Sequence, residues 1–182
     1  MKKLFLVAIV LVGFVALIMA PAALADNAKV LSAKVDSTLA VFTATKGSDA
    51  VLKQAEGLLV FPAITKAGFI FGGEYGEGAL IVDNETKGFY NTVGGSFGFQ
   101  IGAQRKSLIL AFMDPAALKR FEDASGWKIG ADASVAVVAV GADGSIDTSK
   151  LNQPIIAFAF DQKGLMGNLT LEGAKISPIR KD

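Results

Sequence analysis

The apolar positions of the chain change their period partway along it. From Asn27 to about Thr45, Leu31, Val35, Leu39 and Phe42 recur at steps of three and four, with Lys29, Lys34 and Asp36 on other faces, which predicts an amphipathic helix. Gly47-Ser48 breaks it. Ser48 is placed to cap a second short helix over Asp49 to Glu56, with Val51, Leu52 and Ala55 as its buried stripe and Gly57 as its stop.

Beyond Gly57 the period becomes two. Between Gly94 and Arg105, one face carries Gly94, Ser96, Gly98, Gln100, Gly102 and Gln104, and the other Gly95, Phe97, Phe99, Ile101, Ala103 and Arg105, which predicts a strand. Ala67 to Gly73 alternates in the same way. Further strands are expected at Leu58 to Phe61, Gly78 to Val82, Ser107 to Phe112, Ser134 to Val140, Ile155 to Phe160 and Leu165 to Leu171. Asp114-Pro115 supplies a cap and a first-turn proline for a short helix to about Asp123, with Leu118 and Phe121 facing inward. Residues 141–150 and 161–164 read as turns.

Many short strands without a βα rhythm imply an α+β fold: a mainly antiparallel, strongly curved sheet or barrel-like β core, with N-terminal helices and one short mid-chain helix. Twenty glycines, several of them inside strands, favour the curvature.

Upstream of these elements the pattern is different. Met1-Lys2-Lys3 precedes an uncharged run from Leu4 to Ala20, then Pro21 and Ala23-Leu24-Ala25. A cationic start, an apolar stretch and a small-residue A-x-A site form a signal peptide, expected to be cut after Ala25. The alternative is a retained anchor, for which about 17 apolar residues is the lower limit. The expected division is therefore residues 1–25 as signal peptide and residues 26–182 as one domain, exported to the periplasm and either free there or peripheral at a membrane. Loss of Lys2 and Lys3 leaves 16 basic residues against 17 acidic ones. So neutral a domain has no global field to hold a polyanion, which argues against nucleic acid and confines attraction to anionic lipid to a local cluster.

The chain has neither cysteine nor histidine. Thiolate and Ser-His-Asp nucleophiles, disulfides, an acylated cysteine anchor and His- or Cys-ligated metals are thereby excluded, leaving carboxylates, Lys, Tyr and Ser/Thr for any catalysis. The run Gly72 to Gly78 lacks both nucleotide-loop spacings and reads as a glycine-rich hairpin or bulge. Glu74 and Glu77 have the chemistry of an acid–base pair, but three residues of extended chain put them on opposite faces, so they read as solvated charges at a turn. Asp143, Ser145 and Asp147 only partly match a calcium loop and read as an ordinary turn. A carboxylate-only hydrolase would have to draw on Glu74, Glu77, Asp83 and Asp132. No catalytic residue, metal ligand or cofactor is assigned. Lys66, Arg105 and Lys106, at expected strand ends, could form one basic rim of the sort that meets lipid phosphate, with Lys29 and Lys34 of the first helix behind them.

Four blocks add a resemblance. They are Gly57-Leu-Leu-Val-Phe-Pro with Lys66-Ala-Gly-Phe and Gly72-Gly-Glu-Tyr-Gly-Glu-Gly; Gly94 to Gln104; Lys128-Ile-Gly-Ala-Asp-Ala-Ser-Val135; and Gly164 to Gly173. In order and extent these resemble the SYLF domain family. The resemblance implies a β-rich lipid-binding domain with N-terminal helices and no catalytic residues. Eukaryotic members associate with phosphoinositide membranes and some with actin. The chain departs from the family at Val140-Gly141-Ala142-Asp143, where a glycine-proline turn is expected, and in lacking the cysteine of lipoprotein relatives. The expected function is non-enzymatic binding of phospholipid or a membrane surface in the cell envelope. A structural or protein-interaction module of the periplasm, with an envelope protein as partner, is the alternative.

Overall fold

The structure is a computed structural model and describes residues 26–68, 71–97, 102–138, 145–161, 164–166, 171 and 173–182. The expected signal peptide, Asp143 and the Val140 to Asp143 departure lie outside the described residues.

Helix α1 (Ala28–Thr43) starts at Asn27, whose side chain accepts from the Val30 N–H, and it buries Leu31, Val35 and Phe42. Helix α2 (Ser48–Leu52) is shorter than the sequence suggested, and Ser48 is not its cap. Gly47 takes that position at φ 92°, and the Ser48 hydroxyl donates to the Thr43 carbonyl at 3.0 Å, tying the turn to α1.

The strands are β1 (Gly57–Gly68), β2 (Phe71–Val82), β3 (Glu85–Phe97), β4 (Gly102–Phe112), β5 (Trp127–Lys128), β6 (Ala136–Val137), β7 (Ile155–Asp161), β8 (Gly164–Met166) and β9 (Lys175–Ile179). They form one curled sheet in the order β5-β9-β3-β2-β1-β4-β7-β6, with β8 on β7. All pairs are antiparallel except β6 with β7. Between β4 and β5 sits α3 (Pro115–Glu122), whose cap Asp114 accepts from the Ala116 and Ala117 N–H groups, as its sequence predicts.

Two expected strands are each divided between two strands, and only the first of them is a hairpin. Ala67 to Gly73 is divided between β1 and β2, which pair at Gly68 and Gly72. Gly94 to Arg105 is divided between β3 and β4. Period-two alternation continues on both sides of such a break, so it did not reveal that β3 and β4 are separate strands with β2 and β1 between them. The first half of β3 and all of β9 were not anticipated. Nor was the hairpin at Asp83 and Asn84, both with positive φ (53° and 61°), the conformation of a two-residue primed turn. Among the described residues, the strand expected over Ser134 to Val140 contracts to Ala136–Val137, and β8 covers only the start of the one expected from Leu165.

The sheet is buried on both faces. Alternate residues of β4 and β7 divide between them: Leu108, Leu110, Phe112, Ile155 and Ala157 join one core, and Ile109, Ala111, Ile156, Phe158 and Phe160 the other. The first core is closed by α3 and Trp127. There Phe121 lies 4.9 Å from the Tyr90 ring, 5.0 Å from Phe112 and 5.5 Å from Trp127. The second is closed by α1, whose Phe42 sits 4.9 Å from Phe158 and 5.9 Å from Phe160.

Long β1 is broken in register between Phe61 and Ile64, around Pro62, which has no N–H to give a ladder. The Pro62 carbonyl instead accepts from the Ser107 hydroxyl at 2.7 Å. The bulge pushes β1 against β2 at Gly78, where a Cβ would lie 2.3 Å from the Val60 carbonyl oxygen. Glycine is required there.

Candidate functional site

The expected basic rim is divided by the sheet. Lys66 stands opposite Glu74 on β2 and Gln104 on β4, and Lys106 stands opposite Ile64, so both occupy the face of the α3 core. Arg105, opposite Thr65, occupies the α1 face and is exposed. Lys106 is already engaged: its Nζ lies 3.0 Å from Glu74 Oε2, with both side chains less than a fifth exposed. Lys34 clamps both carboxylate oxygens of Asp26 at 2.9 and 2.7 Å. Among the described residues, Lys29, Lys66 and Arg105 form no ion pair. These three cations remain available to an anion, Lys29 and Arg105 on the α1 side and Lys66 on the other.

Glu74 and Glu77 do fall on opposite faces, but neither is a solvated turn charge. They lie in mid-strand in β2, which is paired on both sides, and each is neutralised by a lysine. Glu77 continues the row Ala79 and Ile81 on the α1 face and is 8% exposed. Its Oε2 accepts from Lys181 Nζ at 2.6 Å and from the Asp26 N–H at 3.2 Å, and its Oε1 accepts from the Tyr75 hydroxyl at 2.8 Å. Burial, then the bond and charge of Glu77, push the Tyr75 hydroxyl up to about 12. Lys181 also donates to the Asp26 carbonyl at 2.7 Å, and the Ala28 N–H to the Asp182 carbonyl at 3.2 Å, so the start and end of the described chain are bound together. Asn91, the register partner of Glu77 on β3, holds the one buried side-chain oxygen without a hydrogen-bond partner among the described residues.

The cluster was missed in the sequence. Its signal was a charged residue on the apolar side of Tyr75-x-Glu77-x-Ala79-x-Ile81, and its partner Lys181 lies 104 positions away.

Asp83 sits at the β2–β3 turn, and Asp132 accepts from the Lys128 N–H. Asp147 accepts from the Ser149 N–H. Among the described residues no group of three acidic side chains is placed to hold a metal ion, and no helix is long and apolar enough to cross a membrane.

No curated protein matches the chain. Residues 93–182 match the family Ysc84, described as Las17-binding protein actin regulator. The match runs from the second half of β3 through β9. It therefore includes Arg105, Lys106 and Lys181, and leaves α1, β1 and β2 outside it. The match agrees with the SYLF resemblance of the sequence, with residues 93–182, just under half of the chain, as the matched part.

Proposed function

We propose that this chain is a non-enzymatic binding protein of the bacterial cell envelope, exported, cut after Ala25, and directed at phospholipid or a membrane surface. The family match carries the reading, since the SYLF resemblance implies lipid binding. The cations without ion pairs support it. Lys29 in the first turn of α1 and Arg105 in the outer part of β4 are exposed, on the side of the sheet that α1 covers. Two exposed cations on one side suit a phosphate-bearing surface, with an attraction of about 1 kcal/mol each that salt screens.

The test is flotation of the purified protein with zwitterionic and with anionic vesicles. The expected result is flotation with anionic vesicles at low salt, reduced by added salt and by the double substitution Lys29→Glu with Arg105→Glu. Protein that stays at the bottom of the gradient with both vesicle types at low salt overturns the proposal.

The family's description names a protein partner, Las17, and this favours a second reading, a protein-interaction module of the periplasm. Crosslinking in cells that recovers one stoichiometric envelope protein, with no lipid copurifying, would select it over the first.

A further inference from the structure

We infer that the buried Glu77 cluster is a receptor for the α-ammonium group that cutting after Ala25 creates on Asp26. The inference rests on the signal-peptide part of the proposal above and is independent of lipid binding.

Asp26 is held at every polar group it has. Its N–H donates to Glu77 Oε2 at 3.2 Å, its carbonyl accepts from Lys181 Nζ at 2.7 Å, and its carboxylate takes both bonds from Lys34. A residue joining a leader to a domain needs no such anchoring, since chain termini are ordinarily loose unless tied down. The A-x-A triplet puts the cut at the peptide bond whose nitrogen faces Glu77.

Hydrolysis of that bond turns an amide with one N–H into an ammonium with three donors and a full charge. The contact to Glu77 becomes a charge-assisted hydrogen bond, roughly twice as strong as a neutral one. Glu77 of β2 meets the new group directly; around it stand Tyr75, bonded to Glu77, Asn91, the register partner of Glu77 on β3, Lys181 on the Asp26 carbonyl and Lys34 of α1 on the Asp26 carboxylate. The two lysines repel it, and the carboxylates of Glu77 and Asp26 oppose them. The unpartnered Asn91 Oδ1 leaves an acceptor to spare in the cluster. The intact precursor makes the neutral version of the contact, and the cut chain makes the charged one. Processing thus tightens the joint between α1, β2 and the C-terminal end.

The test uses a full-length chain in which the residues ahead of Asp26 are replaced by the recognition sequence of a protease that leaves Asp26 first. The same protein is then compared before and after cutting. Cutting should lower the equilibrium unfolding constant about tenfold, and acetylating the freed amine should reverse the gain. In the folded cut chain, acylation of the Asp26 amine, followed by mass spectrometry, should be at least about tenfold slower than in urea, and Glu77→Gln should abolish the protection. An amine that reacts equally fast folded and unfolded overturns the inference, as does unfolding unchanged by cutting and acetylation. The acetylation comparison needs no substitution, so it decides even if Glu77→Gln does not fold. The intact mass of the protein exported from the natural sequence checks the cut itself. A start other than Asp26 refutes the leader reading and leaves the receptor measurement standing.

Discussion

Replacing Lys181 by methionine tests the buried pair most directly. Lys181 and Glu77 are 7% and 8% exposed, and their 2.6 Å contact is the shortest ion pair among the described residues. Methionine keeps most of the side-chain volume but leaves Glu77 in apolar surroundings with only the Tyr75 hydroxyl and the Asp26 N–H as donors, and it takes a donor from the Asp26 carbonyl. Breaking a buried pair from one side costs about 3–5 kcal/mol. The two remaining donors on Glu77 place this case near the lower end, about 3 kcal/mol. Trp127, the one tryptophan, is 4% exposed and stacks edge-on against Phe121, so its fluorescence follows urea unfolding without a label. With a slope of about 2 kcal/mol per molar urea, the midpoint should fall by roughly 1.5 M. Glu77→Gln leaves Lys181 charged but keeps an amide oxygen to accept from it beside the Asp26 carbonyl, and should cost less. The double substitution should cost less than the two singles together by about 1–3 kcal/mol, because neither leaves an unpaired charge for the other. A midpoint shift under about 0.3 M for Lys181→Met, or strict additivity in the double variant, would refute the reasoning.

Gly78→Ala should cost about 3 kcal/mol or more in the same assay, since its Cβ would meet the Val60 carbonyl oxygen at 2.3 Å and only backbone movement relieves that. Asp114→Ala removes the cap of α3 and should cost about 1 kcal/mol, with Asp114→Asn recovering most of it. Tyrosinate absorbance should rise late in an alkaline titration of the folded protein. Tyr75 is neutral to about pH 12 in the fold and only to about pH 10 when unfolded, so its share of stability is complete below pH 10 and lost as pH climbs towards 12. Glu77→Gln should bring that titration to lower pH, and an unchanged curve would count against the Tyr75–Glu77 bond.

Local chemistry was legible in the sequence wherever neighbours along the chain determined it. Asp114 marks its helix because a cap acts over three residues, whereas Asn27, read only as the start of α1, is the cap of that helix. α1 is visible because one face is wet and the other packed. Strand ends were less clear: alternation continues across the hairpin within Ala67 to Gly73 and across the break between β3 and β4, and β1, β4 and β7 carry apolar residues on both faces, so their period is weak. A basic rim needs its cations on one face, and the sheet divides them because Arg105 and Lys106 are successive residues of one strand. The Glu77–Lys181 pair could not be read at all, since only the pairing of β9 beside β3 brings residue 181 near β2.

A sheet with a separate core on each side acts as a septum. Ile109 and Leu110 are covalent neighbours, yet they report on different compartments, while Leu108 and Leu110 share one with Phe121 across the fold. Energetic coupling should therefore skip along the strand, strong between residues two apart and weak between adjacent ones. It also gives the molecule two levels of opening. The α1 layer can lift from Phe158 and Phe160 while the compartment around Phe121 and Trp127 stays closed. The amides of α1 should then exchange with solvent well before those of β4, at a free energy below that of global unfolding.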